Sequence, residues 1–235
     1  MAMVEAVAPK AVIWVGSSKE NLKAFPEPVQ KGVGYALWFA QIGSKHPHAK
    51  VLRGFGSAGV VEIIEDSDGN TYRAVYTVKF TDFVYVLHCF QKKSKRGAKT
   101  PPVDIADQVA ASHGGSGLRR TRGIQVMATK KSEVTLGSGN VFKDLGLKNP
   151  EELLAKAKLA ARIVEILEER KLNQTQAAKL LRVDQPKVSL IYRGRLDDFS
   201  VERLMRFLTA LHRDIRIVVS NKPRRRRGRV IVEAA

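Results

Sequence analysis

The sequence predicts two folded modules in series: an α+β module of two helices on an antiparallel sheet, then a mainly α module closing with a short β-hairpin. Three observations carry this. Apolar residues run or alternate like strands through 60–65, 72–80 and 83–90, but repeat at helical spacing over 153–167. Between these regions His113-Gly-Gly-Ser-Gly117 and Leu118-Arg-Arg-Thr-Arg122 have linker composition and no apolar period. The charge is also uneven: residues 1–111 hold 14 Lys/Arg against 10 Asp/Glu, and residues 112–235 hold 27 against 13. The expected bounds are 1–111, a linker at 112–130, and 131–235.

The first module opens on a β-like run, Ala11–Val15. Ser18 suits the N-cap of a short helix through Lys23, and Pro26 suits the first turn of a longer one. That helix carries Val29, Val33, Leu37 and Ala40 on one face and ends at Gly43. Val60–Glu65, Tyr72–Phe80 and Phe83–Phe90 then read as an antiparallel meander, with turn chemistry at Asp66–Asn70 and a tight turn at Thr81-Asp82. Pro101-Pro102 can start a last short helix through Ala111.

The second module starts its long helix at Asn149 as N-cap, Pro150 at the first position and Glu151 and Glu152 in the first turn. Helices at 174–181, 185–192 and 201–212 follow, then strand-like Ile215–Val219 and Arg229–Val232 around a basic turn. Asn173 and Gln176 have capping-box spacing, and Asp184 suits the next N-cap. Ala177, Ala178, Leu181, Val183, Val188 and Ile191 supply small and apolar contacts between two closely spaced helices. Packed on a third helix, such a pair presents the start of its second member to a DNA major groove. Arg224–Arg227 reads as a loop that contacts phosphate or the other module, slightly ahead of a solvated turn.

Composition narrows the function classes. Hydrophobic residues make up 44% of the chain, enough for real cores. The one cysteine, Cys89, excludes a disulfide framework and a Cys-based zinc site. No apolar run spans a bilayer and the start lacks a secretory pattern, so a cytoplasmic protein is expected. No phosphate-binding glycine motif or metal-ligand cluster is visible, so no cofactor is expected. A net charge of +18 points to nucleic acid as partner.

Leu172–Gly194 resembles the lambda repressor/Cro-like helix-turn-helix family, with Arg182 where that family usually has Gly, a departure that either shifts the turn or is tolerated in place. Val134–Gly146 and Asp197–Glu202 resemble its HigA-type antitoxin branch. That match implies that Gln185, Lys187 and Ser189 face base edges while Gln174, Thr175 and Arg193 hold phosphates of an operator read by a homodimer. In the first module, Gly54-Phe-Gly, Tyr72-Arg-Ala-Val-Tyr-Thr-Val and Tyr85–Lys95 resemble phage-derived HigB-type toxins of the RelE/ParE superfamily. The resemblance implies a RelE-like, ribosome-dependent, metal-free mRNA endonuclease inhibited by the antitoxin in cis or in trans. It implies that Arg73 stabilises the phosphorane, Lys92 or Lys93 moves protons, and Lys50, Arg53 and Lys95 hold RNA. From the residues alone the leading reading of these lysines is ordinary edge-strand charge that blocks aggregation. Tyr76 is expected in the core because strand alternation sets it opposite Arg73, and His88 and Cys89 are also read as core. Two alternatives stand beside this reading: a regulator whose first module does not cleave, and a toxin acting on gyrase.

Overall fold

The computed structural model describes residues 8–52, 59–92, 134–219 and 232. In the first module β1 (Ala11–Val15), α1 (Ser18–Lys23) and α2 (Glu27–Gln41) precede β2 (Lys50–Val51), β3 (Val60–Ser67), β4 (Asn70–Thr77) and β5 (Phe83–Lys92). After them come β6 (Val134–Leu136), α3 (Val141–Asp144), α4 (Pro150–Glu169), α5 (Gln174–Leu181), α6 (Gln185–Tyr192) and α7 (Val201–Ala210). The α+β module followed by a helical module is the architecture expected.

The strands form one sheet in the order β2-β3-β4-β5-β1-β6. β3, β4 and β5 make the expected meander. Its first turn is a two-residue one: Asp68 (φ 50) and Gly69 (φ 75) lie between the paired Ser67 and Asn70, the left-handed backbone such a turn requires. The second connection is longer than expected. β4 stops at Thr77 after a bulge between Val75 and Tyr76, and residues 78–82 lead into β5. β1 departs from the antiparallel pattern, since it lies parallel to β5 with Ala11 opposite Phe83. A strand that returns to its sheet through helices is free to pair in parallel, which a hairpin cannot do.

Two helix starts differ in detail. Ser17, not Ser18, holds the N-cap position of α1, and Ser18 is buried in the first turn. Pro26 occupies the N-cap position of α2, with Pro28 inside the first turn.

The face of the sheet bearing Val61, Ile63, Tyr72, Ala74, Tyr76, Val86 and Cys89 packs against Leu22, Val29, Val33, Leu37 and Ala40. Val15, Val60, Val75 and Leu87 form a smaller cluster on the opposite face. Tyr76 and Cys89 are therefore core residues, and burial pushes the Cys89 thiol far up.

The second module completes the first. β6 pairs antiparallel with β1, Ile13 opposite Leu136 and Val15 opposite Val134. The Gly137 amide donates to the Val12 carbonyl at 2.8 Å. Asp144 accepts from Trp14 Nε1 at 3.2 Å and from the Ser138 amide at 2.9 Å. On the outer side of α2, Tyr35, Trp38 and Phe39 join one core with Phe142, Ala157, Ile163, Val188, Ile191 and Phe199. The single apolar stripe expected for α2 is thus only half of its buried surface.

Two glycines mark how closely the modules approach. A Cβ added at Gly34 would stand 2.6 Å from the Phe142 ring, and one at Gly194 (φ +69) would stand 2.3 Å from the Tyr35 ring. No side chain fits either place without displacing an aromatic ring.

Three expectations for the second module change. Asn149 holds the N-cap position of α4 in a left-handed conformation (φ 51), without a capping bond from its side chain. Asp184 also stands at an N-cap without a side-chain bond. The expected C-terminal hairpin is not formed in the described part, where Ile215–Val219 carries no strand. Val232 instead packs on the helical core, and its carbonyl accepts from Lys158 Nζ at 3.0 Å. The expected helix at 101–111, the linker at 112–130, Arg224–Arg227, and the site candidates Arg53, Lys93 and Lys95 lie outside the described residues. Among the described residues no helix is long and apolar enough to cross a membrane.

Candidate nucleic-acid interfaces

α5 and α6 form the helix-turn-helix. Both bonds of the capping box are made: the Gln176 amide donates to Asn173 Oδ1 at 2.9 Å, and the Asn173 amide donates to Gln176 Oε1 at 3.0 Å. Arg182 takes the left-handed conformation itself (φ 54, ψ 48), so the turn is not shifted. A side chain in that region costs on the order of 1 kcal/mol. The Val183 amide closes the turn on the Ala178 carbonyl at 3.0 Å.

Ala177, Ala178, Leu181, Val188 and Ile191 form the buried back of the motif. On its front Thr175 and Gln185 are exposed, while Gln174, Lys187 and Ser189 are half-buried. Gln185 Nε2 donates to Gln174 Oε1, tying the first residues of the two helices together. Thr175, Lys179, Arg182, Gln185, Lys187 and Arg203 line one basic notch. Arg203 rests over the rings of Phe199 and Phe207 at 5.3 and 5.7 Å, which fixes its guanidinium beside the notch. Lys179, Arg182 and Arg203 are absent from the candidates read in the sequence. Helical spacing identifies faces within one element, and Arg203 reaches the notch from the next helix. Arg193 is exposed but stands apart from the notch, at the far end of α6 beside Gly194 and the first module.

The second candidate lies on the sheet face opposite α1 and α2. The register sets Arg73 opposite Phe90 and Thr71 opposite Lys92, so Arg73 and Lys92 share a face one pair apart. Across the sheet Lys50 stands opposite Glu62, Glu62 opposite Val75 and Val75 opposite His88. Glu62 was not legible as a site residue. It is 3% exposed, and Arg73 Nη1 donates to both its carboxylate oxygens at 2.8 and 2.9 Å. His88, read in the sequence as core, is half-buried on this same face and stacks with Phe90 at 5.1 Å. Strand alternation accounts for the difference: neighbours His88 and Cys89 must point to opposite faces. Lys50 is exposed at the edge of the row.

The helical module contacts the other side of this sheet, through α2. Arg195 bridges to Glu65 at 2.8 Å and donates to the Asp66 carbonyl at 3.2 Å. Lys31 pairs with Asp197, and Lys158 lies 5.0 Å over the Trp38 ring. His46 is enclosed between Tyr35 and Phe39, with ring centroids at 5.4 and 5.3 Å, and its Nδ1 accepts from the His48 amide. Burial, aided by the charge of His48, lowers His46 to about 3. Burial outweighs the Arg195 guanidinium at Glu65 and raises that carboxyl to about 7.

Comparison with known proteins places a domain type on each module. Residues 141–220 match the family model described as a helix-turn-helix domain, and residues 20–109 match the family described as phage derived protein Gp49-like. The chain therefore carries a Gp49-like domain followed by a helix-turn-helix domain. A solved structure described as "Putative XRE Family Transcriptional Regulator" is 43% identical over 36% of this chain and 97% of its own, with a TM-score of 0.34. No curated protein matches the chain.

Proposed function

We propose that the chain is a toxin and its antitoxin in one polypeptide. In this reading the Gp49-like module is a ribosome-dependent mRNA endonuclease of HigB type. The helix-turn-helix module restrains it and binds operator DNA as an autorepressor in the cytoplasm. The observation that supports it best is the enclosure of α2: Tyr35, Trp38 and Phe39 belong to the core of the second module, as an inhibitor's contact surface would require. Restraint would then act through docking on α2 and β1, away from the face of Arg73 and Lys92. The basic notch supports the DNA half of the reading.

On the sheet face, the RNA 2′-hydroxyl would attack its own phosphate. Lys92 or Lys93 would take and return protons, Arg73 would stabilise the phosphorane, and Lys50, Arg53 and Lys95 would hold the backbone. Arg73→Ala alone is a poor probe of this, because it also removes the two hydrogen bonds that Arg73 gives the buried Glu62 carboxylate and so disturbs stability as well as chemistry. The test uses the full chain with programmed ribosomes and maps mRNA ends. The parent should be silent. Gly194→Trp, which forces α6 off Tyr35, should release cleavage, and adding Lys92→Ala should remove it. Intact mRNA with gyrase trapped on DNA would select the gyrase alternative. Operator binding with neither activity would select the non-cleaving regulator.

A further inference from the structure

β5 gathers more aromatic rings on one face than strand alternation alone would place there. Phe83 and Tyr85 sit at odd positions, whereas His88 and Phe90 sit at even ones, so a regular strand would turn the two pairs to opposite faces. The register removes that conflict. Val75 stands opposite His88 while its neighbour Tyr76 stands opposite Val86, so β5 spends one extra residue at Leu87. Val84, Val86 and Cys89 keep to the helix-covered core. Leu87, with Tyr85 and Phe90 packed against it, belongs to the small cluster on the other face. The bulge therefore brings Phe83, Tyr85, His88, Phe90 and Lys92 to the face of Arg73, over roughly 25 Å of strand.

Packing does not account for the whole row. Val15, Val60, Val75 and Leu87 beneath it are at most 1% exposed, yet Phe83 is still 37% exposed and Tyr85, His88 and Phe90 are half-buried. The rings adjoin one another: Phe83 lies 6.1 Å from Tyr85, and His88 stacks on Phe90 at 5.1 Å. Flat rings that run up to a lysine suit a single-stranded nucleic acid, whose bases stack while its phosphates are neutralised. The chain's own stretches 53–58 and 93–133, which lie outside the described residues, are poorer occupants by charge. Together they hold 10 Lys/Arg against 3 Asp/Glu and share the sign of Lys92.

We propose that this row is a stacking track for single-stranded RNA: bases lie on Phe83, Tyr85 and the His88–Phe90 pair, and Lys92 takes a phosphate. The choice of RNA rests on the toxin reading above. The track gives the face of Arg73 a grip on several nucleotides that tolerates any sequence, since every base has a flat face.

The test measures binding of a short, fluorescently labelled 2′-O-methyl RNA to the full chain by anisotropy. The methyl group blocks attack by the 2′-oxygen, and excess unlabelled duplex DNA occupies the helix-turn-helix. Phe83→Leu and Tyr85→Leu keep an apolar side chain and remove the flat one. Each should weaken binding about tenfold and leave the salt slope as it was, because stacking releases no counterions. Where Tyr85→Leu also loosens the fold, crosslinking of the parent decides. One 4-thiouridine in the oligomer, irradiated, should mark the tryptic peptide 80–92. Unchanged affinity in both variants overturns the track, and so does a crosslink confined to the helical module. Ring-dependent binding by a chain whose Gly194→Trp form cuts no mRNA counts against the proposed activity alone. Cutting by that form, with binding that ignores the rings, counts against the track alone.

Discussion

α2 and α6 are both helices that turn apolar side chains to a core, and they meet different fates. α6 buries Val188, Ile191 and Tyr192 and leaves Gln185, Lys187 and Ser189 at or near the surface. α2 has no free face: Val29, Val33 and Leu37 pack on the sheet while Tyr35, Trp38 and Phe39 pack on the helical module. A helix apolar all round is the interior of something larger than its own module. The difference separates a helix that joins from a helix that presents, and each can be tested where the other should not respond.

The largest effect belongs to the joining helix. Phe39→Ala removes a ring that is 1% exposed and should cost about 3–5 kcal/mol, read as a fall in the denaturant midpoint. Both modules should lose protection together, because the ring is shared. A variant in which only the first module loosens would break the comparison.

Lys187→Ala should do the reverse. Stability should change by less than about 0.5 kcal/mol, while discrimination between operator and random DNA should fall by about 1–3 kcal/mol if the residue contacts a base. Unchanged discrimination removes Lys187 from the reading face.

The contact between the two modules should also carry opposed titrations. His46 goes from 6.5 to about 3 when enclosed, so its contribution is whole above pH 6.5 and drains as pH falls toward 3. Glu65 goes from 4.5 to about 7, so its contribution is whole below pH 4.5 and is lost as pH rises to 7. Between pH 4.5 and 6.5 the slopes oppose, and the parent should be nearly flat. Glu65→Gln should expose the His46 slope, roughly 1 kcal/mol lost per pH unit of acidification in that window. A flat variant profile would mean that His46 is not held neutral between the modules.

The smallest effect lies in the turn before α6. Arg182→Gly should raise stability by up to about 1 kcal/mol by relieving the left-handed backbone, with operator affinity weakened if the guanidinium touches phosphate.

A residue's role is legible in the sequence where it depends on its near neighbours. The capping box at Asn173 and Gln176, the turn at Asp68-Gly69, and the buried side of α5 and α6 follow from spacing and backbone preference within a few residues. The shared face of Arg73 and Lys92 also followed, once a meander was assumed. Local pattern misleads where the deciding contact lies farther along the chain. The apolar strand around His88 points it to the core, although alternation and register turn it to the face of Glu62. Ser18 has the character of a cap, and nothing local shows that its side chain is buried.

The sequence by its own patterning was sufficient for two modules, their element types, the helix-turn-helix and the basic balance, all set by local periodicity, turn chemistry and composition. Contacts between residues far apart in the chain belong to the tertiary structure alone. It adds β6 to the first module's sheet, encloses the outer face of α2, pairs Arg73 with Glu62 and brings Arg203 to the notch beside Lys187. The physical reason is common to all four. Burial and ion pairing depend on which surfaces meet in space, and a one-dimensional pattern reports that a face is apolar or charged without saying what will cover it.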